Sequence, residues 1–146
     1  MATWTGHRLH LAVADGGVPM CAALTGASTH DSQAAIPLVK MGAERAAVLY
    51  VLADSAYDAE AIRGYVRSMG QVPIIEPNKR NGGTRRLDPA ERARYGERTT
   101  VERVNAWLKD SYGGRFVRVR GAAKVMAHLM FGVVALTAAR LFALTG

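Results

Sequence analysis

The run Ala47 to Ala53 is short, continuous and apolar, and it stops at Asp54. A strand with one wet face alternates apolar and polar residues, and a half-buried helix repeats them every three or four positions. An unbroken run of this length is the pattern of a strand buried on both faces, which needs a sheet covered on both sides. The flanking pattern supplies the cover. Pro37 interrupts a helix expected from about Asp31, its N-cap, to Met41, with Gly42 ending it. After the run, Asp58 is positioned to cap a second helix, on which Ile62, Val66 and Met69 recur at helical spacing before Gly70. Val72 to Ile75 is a further short strand.

Ahead of this core, Leu9, Leu11 and Val13 alternate with polar neighbours, Asp15-Gly16-Gly17 is a turn signal, and alternation resumes at Val18. That is a β-hairpin. Beyond it, Glu76 to Arg86 is a loop rich in Asn, Gly, Lys and Arg. A short helix from about Asp88 and a longer one from about Gly96 to Asp110 follow, then a break at Tyr112-Gly113-Gly114. A long apolar helix from Ala122 to Leu144 closes the chain. The order β-β-α-β-α-β-α-α-α indicates an α/β fold with a mixed sheet. With no internal repeat or linker, the 146 residues are expected to form a single domain.

The apolar stretch Val125 to Ala139 is shorter than the roughly 20 residues a membrane span requires and carries His128, so a buried core helix is expected and no membrane. One cysteine, Cys21, excludes an internal disulfide and fits a reducing cytoplasm. The net charge of +7 is uneven. Lys79 to Lys124 holds 13 Lys and Arg against five acids, while the rest of the chain is near neutral. A basic half of this kind suits a polyanion, although a solvated basic face has the same composition.

Two places carry candidate chemistry. Asp54 stands at the C-terminal end of a buried strand, where open α/β sheets place ligand and catalytic groups; capping of the next turn is the plainer use. Tyr95, Arg98, Glu102 and Lys109 are spaced by 3, 4 and 7, which puts them within a sector of roughly 60° on one helix at about 100° per residue. Val101, Val104 and Leu108 lie opposite. On the pattern alone, a solvated face with an Arg98–Glu102 pair is the favoured account of the spacing. His7, His10, His30 and His128 read as ordinary hydrogen-bonded or packed histidines, and Trp4 and Trp107 as packing residues rather than base-stacking platforms.

The combination resembles a known group. Tyr95-x2-Arg98-x3-Glu102-x6-Lys109 is similar to the Tyr-Arg-Glu-Lys signature around the catalytic glutamate of bacterial insertion-sequence DDE transposases. Asp54-x2-Tyr57-Asp58 resembles the block around their second catalytic aspartate. Trp4-x-Gly6-His7-Arg8-Leu9-His10 and Thr29-His30-Asp31-Ser32 match in order and spacing. Nearly the whole chain is covered.

The resemblance implies a ribonuclease H-like mixed sheet flanked by helices and an Asp-Asp-Glu site holding two Mg2+ (or Mn2+) ions for strand cleavage and strand transfer. Asp54 and Glu102 would be catalytic metal ligands. Tyr95, Arg98 and Lys109 would contact insertion-sequence end DNA, and Lys79, Arg80, Arg85 and Arg86 would add salt-sensitive phosphate contacts. The location implied is the cytoplasm, at the nucleoid. Ala56 departs from the glycine many relatives carry. In the family the first Asp lies on a strand before the hairpin, the central strand of the sheet, whereas only five non-acidic residues precede Gly6. Asp15, in the hairpin turn, is a poor substitute. The expectation is therefore a partial catalytic domain, inactive alone, with self-association or a partner chain supplying the strand. The alternative is an inactive DNA-binding remnant or regulator. A ribonuclease H-like nuclease or resolvase has no evident need of the Tyr-Arg-Glu-Lys face.

Overall fold

The computed structural model describes residues 6–82 and 85–146, so Trp4 lies outside the described residues. The chain divides into two compact units, one joining the residues up to Ser28 with Thr99–Gly146, the other spanning Thr29–Arg98. The order of strands and helices is the one expected from the sequence.

In the first unit, β1 (His7–Ala14) and β2 (Val18–Gly26) form the antiparallel hairpin, with a register shift between Ala12 and Val13. Gly16 and Gly17 both take positive φ, 79° and 78°, a backbone that a side chain would strain. The alternation has its expected result, since Leu9, Leu11 and Val13 pack against buried Val104, Leu108, Val133 and Leu136. Those four come from α4 (Thr99–Ser111) and α5 (Ala122–Thr145). The helices approach closely at Gly132, where an added Cβ would meet the Tyr112 carbonyl and lie 3.0 Å from Leu108 Cδ1. Arg140 donates from Nε and Nη2 to the Gly16 carbonyl at 3.0 and 2.7 Å and lies 4.8 Å from the Trp107 ring centre, tying α5 to the hairpin turn. His10 is buried and paired with Thr25 Oγ1 at 2.8 Å, and His128 with the Gly113 carbonyl at 2.9 Å, as ordinary structural histidines.

The expectation of a buried α5 holds for one side only. Val125, Leu129, Val133 and Leu136 are buried, while Phe131 and Phe142 are 80% and 78% exposed. By length and composition Ala122–Thr145 also suffices to cross a membrane.

In the second unit, α1 (Ser32–Arg45) runs past Gly42 and accommodates Pro37, and Asp31 makes no side-chain cap. β3 (Tyr50–Ala53) and β4 (Val72–Ile75) pair in parallel through the crossover helix α2 (Glu60–Ser68). Ala35, Ile62, Val66 and Ile75 form the core, with Val39, Val51, Ala53 and Tyr57 packed on it. The run Ala47 to Ala53 is thus a strand only from Tyr50, and β3 is half-buried rather than covered on both faces, with Leu49 70% exposed. The reason is its position. Among the described residues β3 has β4 as its one ladder neighbour, and the hairpin forms its own two-stranded sheet. A mixed α/β architecture stands, built from two small sheets rather than one.

Helix α3 (Pro89–Tyr95) starts at Asp88, whose carboxylate accepts the Glu91 N–H at 2.8 Å while Glu91 accepts the Asp88 N–H at 3.0 Å, a complete capping box. The long helix expected from Gly96 is divided: Gly96–Arg98 is a 3-10 turn and α4 begins at Thr99. Tyr95 and Arg98 therefore do not share a helix with Glu102 and Lys109. Glycine, the poorest ordinary helix former, stands at the change of winding.

Candidate functional site

The parallel register Ala53↔Ile75 sets the geometry of the second unit. Residues following paired strand ends emerge side by side, so Asp54 and Glu76 leave the same edge of the sheet, with the Glu76 N–H donating to the Ala53 carbonyl at 3.2 Å. Asp54 Oδ1 accepts the Ala56 N–H at 2.9 Å, which makes Asp54 the cap of a 3-10 turn at Ser55–Tyr57. That bond fixes the carboxylate's direction. Its other oxygen, Oδ2, lies 3.8 Å from Arg98 Nη1, with the two side chains 43% and 29% exposed.

Arg98 also lies 5.5 Å from the ring centre of Tyr95, whose hydroxyl donates to Glu76 Oε2 at 3.2 Å. Asp54, Arg98, Tyr95 and Glu76 thus form one connected set at the C-terminal edge of the two parallel strands. Partial burial raises the Tyr95 phenol above its ordinary value; Arg98 opposes that, while Glu76, also through its hydrogen bond, and Asp54 reinforce it. Glu76 was missed in the sequence. Its signal was available, since it follows a short apolar strand just as Asp54 does.

Asp58 buttresses the turn beneath. It does not cap α2, whose N-cap is Ala59. Oδ1 accepts Arg63 Nε and Nη2 at 2.9 and 2.7 Å, and Oδ2 accepts the Asn78 N–H at 2.7 Å. Arg63 is buried and also donates to the Ile75 carbonyl at 2.9 Å. Burial alone would raise the Asp58 carboxyl, but the Asn78 amide and the Arg63 guanidinium outweigh it, with Arg85 adding charge, and hold it below its usual range. The pair joins the turn after β3 to the chain after β4, the two segments that carry Asp54 and Glu76.

Of the other expected site residues, Glu102 and Lys109 stand in the other unit, both exposed, in the first and last turns of α4. An acid at the start and a base at the end of a helix suit its dipole. Lys79 and Arg80 are exposed in a 3-10 turn capped by Asn78, and Arg86 is exposed nearby in sequence. Arg85 is paired with Glu91 at 2.8 Å, which partly offsets its charge. Among the described residues no group of three or more His, Cys, Asp or Glu is gathered for a metal.

The chain matches the family described as Transposase DDE domain over residues 2–138. It belongs to the DDE transposases. No curated protein and no solved structure matches. Membership carries the general activity, DNA transposition by polynucleotidyl transfer, in a family that generally uses divalent metal ions. Asp54 is a suitable single ligand for such an ion. It is a hard oxygen donor, aimed by the Ala56 amide, and among the described residues its second oxygen has a long charge contact to Arg98.

Proposed function

We propose that this DDE transposase chain forms most of a ribonuclease H-like catalytic core that cuts and joins DNA at insertion-sequence ends, with Asp54 and Glu102 as two of its three metal-binding carboxylates. The observation that carries the proposal is the gathering of Arg98 and Tyr95 on Asp54 at the end of a parallel strand. A plain surface ion pair gives no reason for the sequence to bring this tyrosine and arginine to the strand end that bears the carboxylate.

Two divalent ions, Mg2+ or Mn2+, would activate the attacking oxygen and stabilise the leaving one. The chain's own residues orient the reaction. The Ala56 amide orients the Asp54 carboxylate, which would hold an ion, and Arg98 balances its charge. Arg98 would also hold a DNA phosphate, where its planar fork suits two oxygens. Tyr95 holds end DNA beside it, Lys109 contacts end DNA from α4, and Lys79, Arg80, Arg85 and Arg86 grip backbone phosphates with salt-sensitive affinity. A water oxygen attacks phosphorus and the departing strand leaves with a free 3′-hydroxyl. That hydroxyl then attacks the target phosphodiester, so no protein–DNA bond forms.

The third carboxylate comes on a strand laid along the free edge of β3, which among the described residues pairs only with β4. This chain by itself accordingly binds DNA without cutting it. A second reading, a DNA-binding remnant or regulator, rests on the absence of a three-carboxylate group among the described residues.

The test is a Mg2+-dependent nicking and strand-transfer assay on DNA bearing the element's own ends, with and without an added carboxylate-bearing strand segment. Salt-sensitive binding is expected in every case, and cutting only with the added segment and only when Asp54 is intact; Asp54→Asn abolishes cutting and leaves binding. Cutting that survives Asp54→Asn removes the assigned role of Asp54, and an absence of DNA binding removes the whole proposal. Binding without cutting under all conditions favours the remnant.

A further inference from the structure

The catalytic proposal uses only part of the basic half of the chain. Beyond Asp110 the sequence has no Asp or Glu, and Arg115, Arg118, Arg120 and Lys124 crowd the connection from α4 to the first turn of α5. All of these belong to one unit. Arg115 is ion-paired with Asp110. Among the described residues Arg118, Arg120 and Lys124 have no ion pair, and all three are exposed. A solvated loop accounts for unpaired cations. It does not account for the aromatic ring set among them, since Phe116 is 72% exposed.

The segment is anchored at both ends. The Gly114 N–H donates to the Leu108 carbonyl at 2.9 Å, and His128 Nε2 pairs with the Gly113 carbonyl at 2.9 Å. At the far end the Val125 N–H donates to the Gly121 carbonyl at 3.0 Å. Gly113 and Gly121 take φ of 78° and 90°, a backbone that glycine adopts freely. Between these glycines there is neither helix nor strand, yet exposure follows a period of two. Phe116, Arg118 and Arg120 are exposed, whereas Val117 is half-buried and Val119 only 38% exposed. That is the alternation of an extended chain, with the ring and the two guanidinium groups on one side.

The ring is also uncovered. A guanidinium lies over each of Tyr50, Tyr95 and Trp107, at 4.1, 5.5 and 4.8 Å from the ring centres. Phe116 follows Arg115 and lies two residues before Arg118, but among the described residues no cation covers it.

We propose that Arg115–Arg120 binds an unpaired DNA strand, with one base stacked on Phe116 and neighbouring phosphates held by Arg118 and Arg120. In a duplex each base shows only its edges in the grooves. An aromatic side chain needs a base face, which an unpaired strand provides whatever its sequence. Cations two residues apart on an extended chain are about 6.6 Å apart along it, so they track a strand's backbone beside the ring. Lys124 adds charge at the same end of α5. A lipid surface would gain most from all three apolar side chains, but Val117 and Val119 are the less exposed ones. The inference takes its ligand from the transposase reading and uses none of the residues assigned to the catalytic site.

The experiment is fluorescence anisotropy on the full chain over a salt series. The probes are a short labelled oligothymidine, a duplex of equal length and an abasic strand of the same length. Phe116→Ala is expected to weaken oligothymidine binding roughly tenfold and duplex binding less than about twofold, while Phe116→Trp keeps both. Arg118→Ala/Arg120→Ala is expected to weaken binding to every probe and to flatten the logarithmic salt slope on oligothymidine by about 1.4. The abasic strand should bind the wild type as loosely as oligothymidine binds Phe116→Ala, an arm that requires no variant to fold. An abasic strand bound as tightly as oligothymidine, or a folded Phe116→Ala chain with unchanged oligothymidine affinity, overturns the proposal. If duplex binding persists in either case, the catalytic reading stands. A wild type that binds no probe overturns both. Phe116-dependent binding to phosphatidylserine vesicles, with oligothymidine ignored, also overturns it and assigns the loop to a lipid surface.

Discussion

Replacing Asp58 by alanine probes the support beneath the site. The side chains of Asp58 and Arg63 are only 16% and 7% exposed, so solvent screens the pair weakly. Alanine removes the acceptor for Arg63 Nε and Nη2 and for the Asn78 amide. It leaves a buried guanidinium whose remaining described bond is to the Ile75 carbonyl, and whose Nη1 has no partner among the described residues. Breaking a buried pair by removing one member costs about 3–5 kcal/mol, because the other charge stays behind. Some access to water favours the lower end, about 3 kcal/mol, or roughly a hundredfold in the folding equilibrium. That is a large part of the 5–15 kcal/mol typical of a whole domain.

Urea unfolding followed by circular dichroism measures it. Glu60→Ala, which breaks the exposed Arg67–Glu60 pair (50% and 81% exposed), is the internal control and is expected to change stability by less than about 1 kcal/mol. Asp58→Leu combined with Arg63→Met is expected to recover most of the loss, since it removes both charges. The pH dependence has a defined sign. The folded Asp58 carboxyl sits below its ordinary value near 3.8. Its contribution is therefore complete above that value and fades as pH falls through the lower folded one. The gap between wild type and Asp58→Ala should shrink only in strong acid. A gap under about 1 kcal/mol at neutral pH, or one unchanged into strong acid, would refute the reasoning.

Two further predictions concern particular contacts. Glu76→Gln is expected to lower the phenol pKa of Tyr95, because the carboxylate raises it by charge and by hydrogen bond; carbon-13 tyrosine NMR over a pH titration reads the shift, and an unchanged Tyr95 would deny the contact. Gly132→Ala is expected to destabilise the chain by about 1–3 kcal/mol despite alanine's better helix propensity, since the new methyl meets the Tyr112 carbonyl and Leu108; a stabilised variant in thermal unfolding would show that α4 and α5 are not closely packed there.

How much was legible in the sequence depended on the range of the forces involved. The hairpin was legible because alternation at Leu9, Leu11 and Val13 is a local record of one buried face. Asp54 was legible for the same reason, as the end of an apolar run. Gly96 was visible, but a 3-10 turn and an α-helix share nearly the same residues, so the division of the expected helix was not. Asp58 offered a plausible cap, and the competitor that took it, Arg63, became evident only once Asn78 and Ile75 were brought alongside. The exposed side of α5 was hidden by composition: a helix apolar all round does not reveal which seam its own unit buries.

The weak ion pair at Asp54 is itself informative on the proposed reading. At 3.8 Å, with both partners substantially exposed, Arg98 and Asp54 attract each other by no more than about 1 kcal/mol. A tight bidentate pair would have to be broken before a cation could bind, and would slow loading. A carboxylate with no countercharge would be left to attract stray cations. The observed spacing lies between these cases. If Asp54 holds an ion, as proposed, Oδ2 would be the oxygen available to it, since Oδ1 already accepts the Ala56 amide. Tyr95, held by Glu76, keeps its ring beside the guanidinium. These contacts hold Arg98 near the strand ends beside Asp54. Tyr95 thus also limits where the arginine can go.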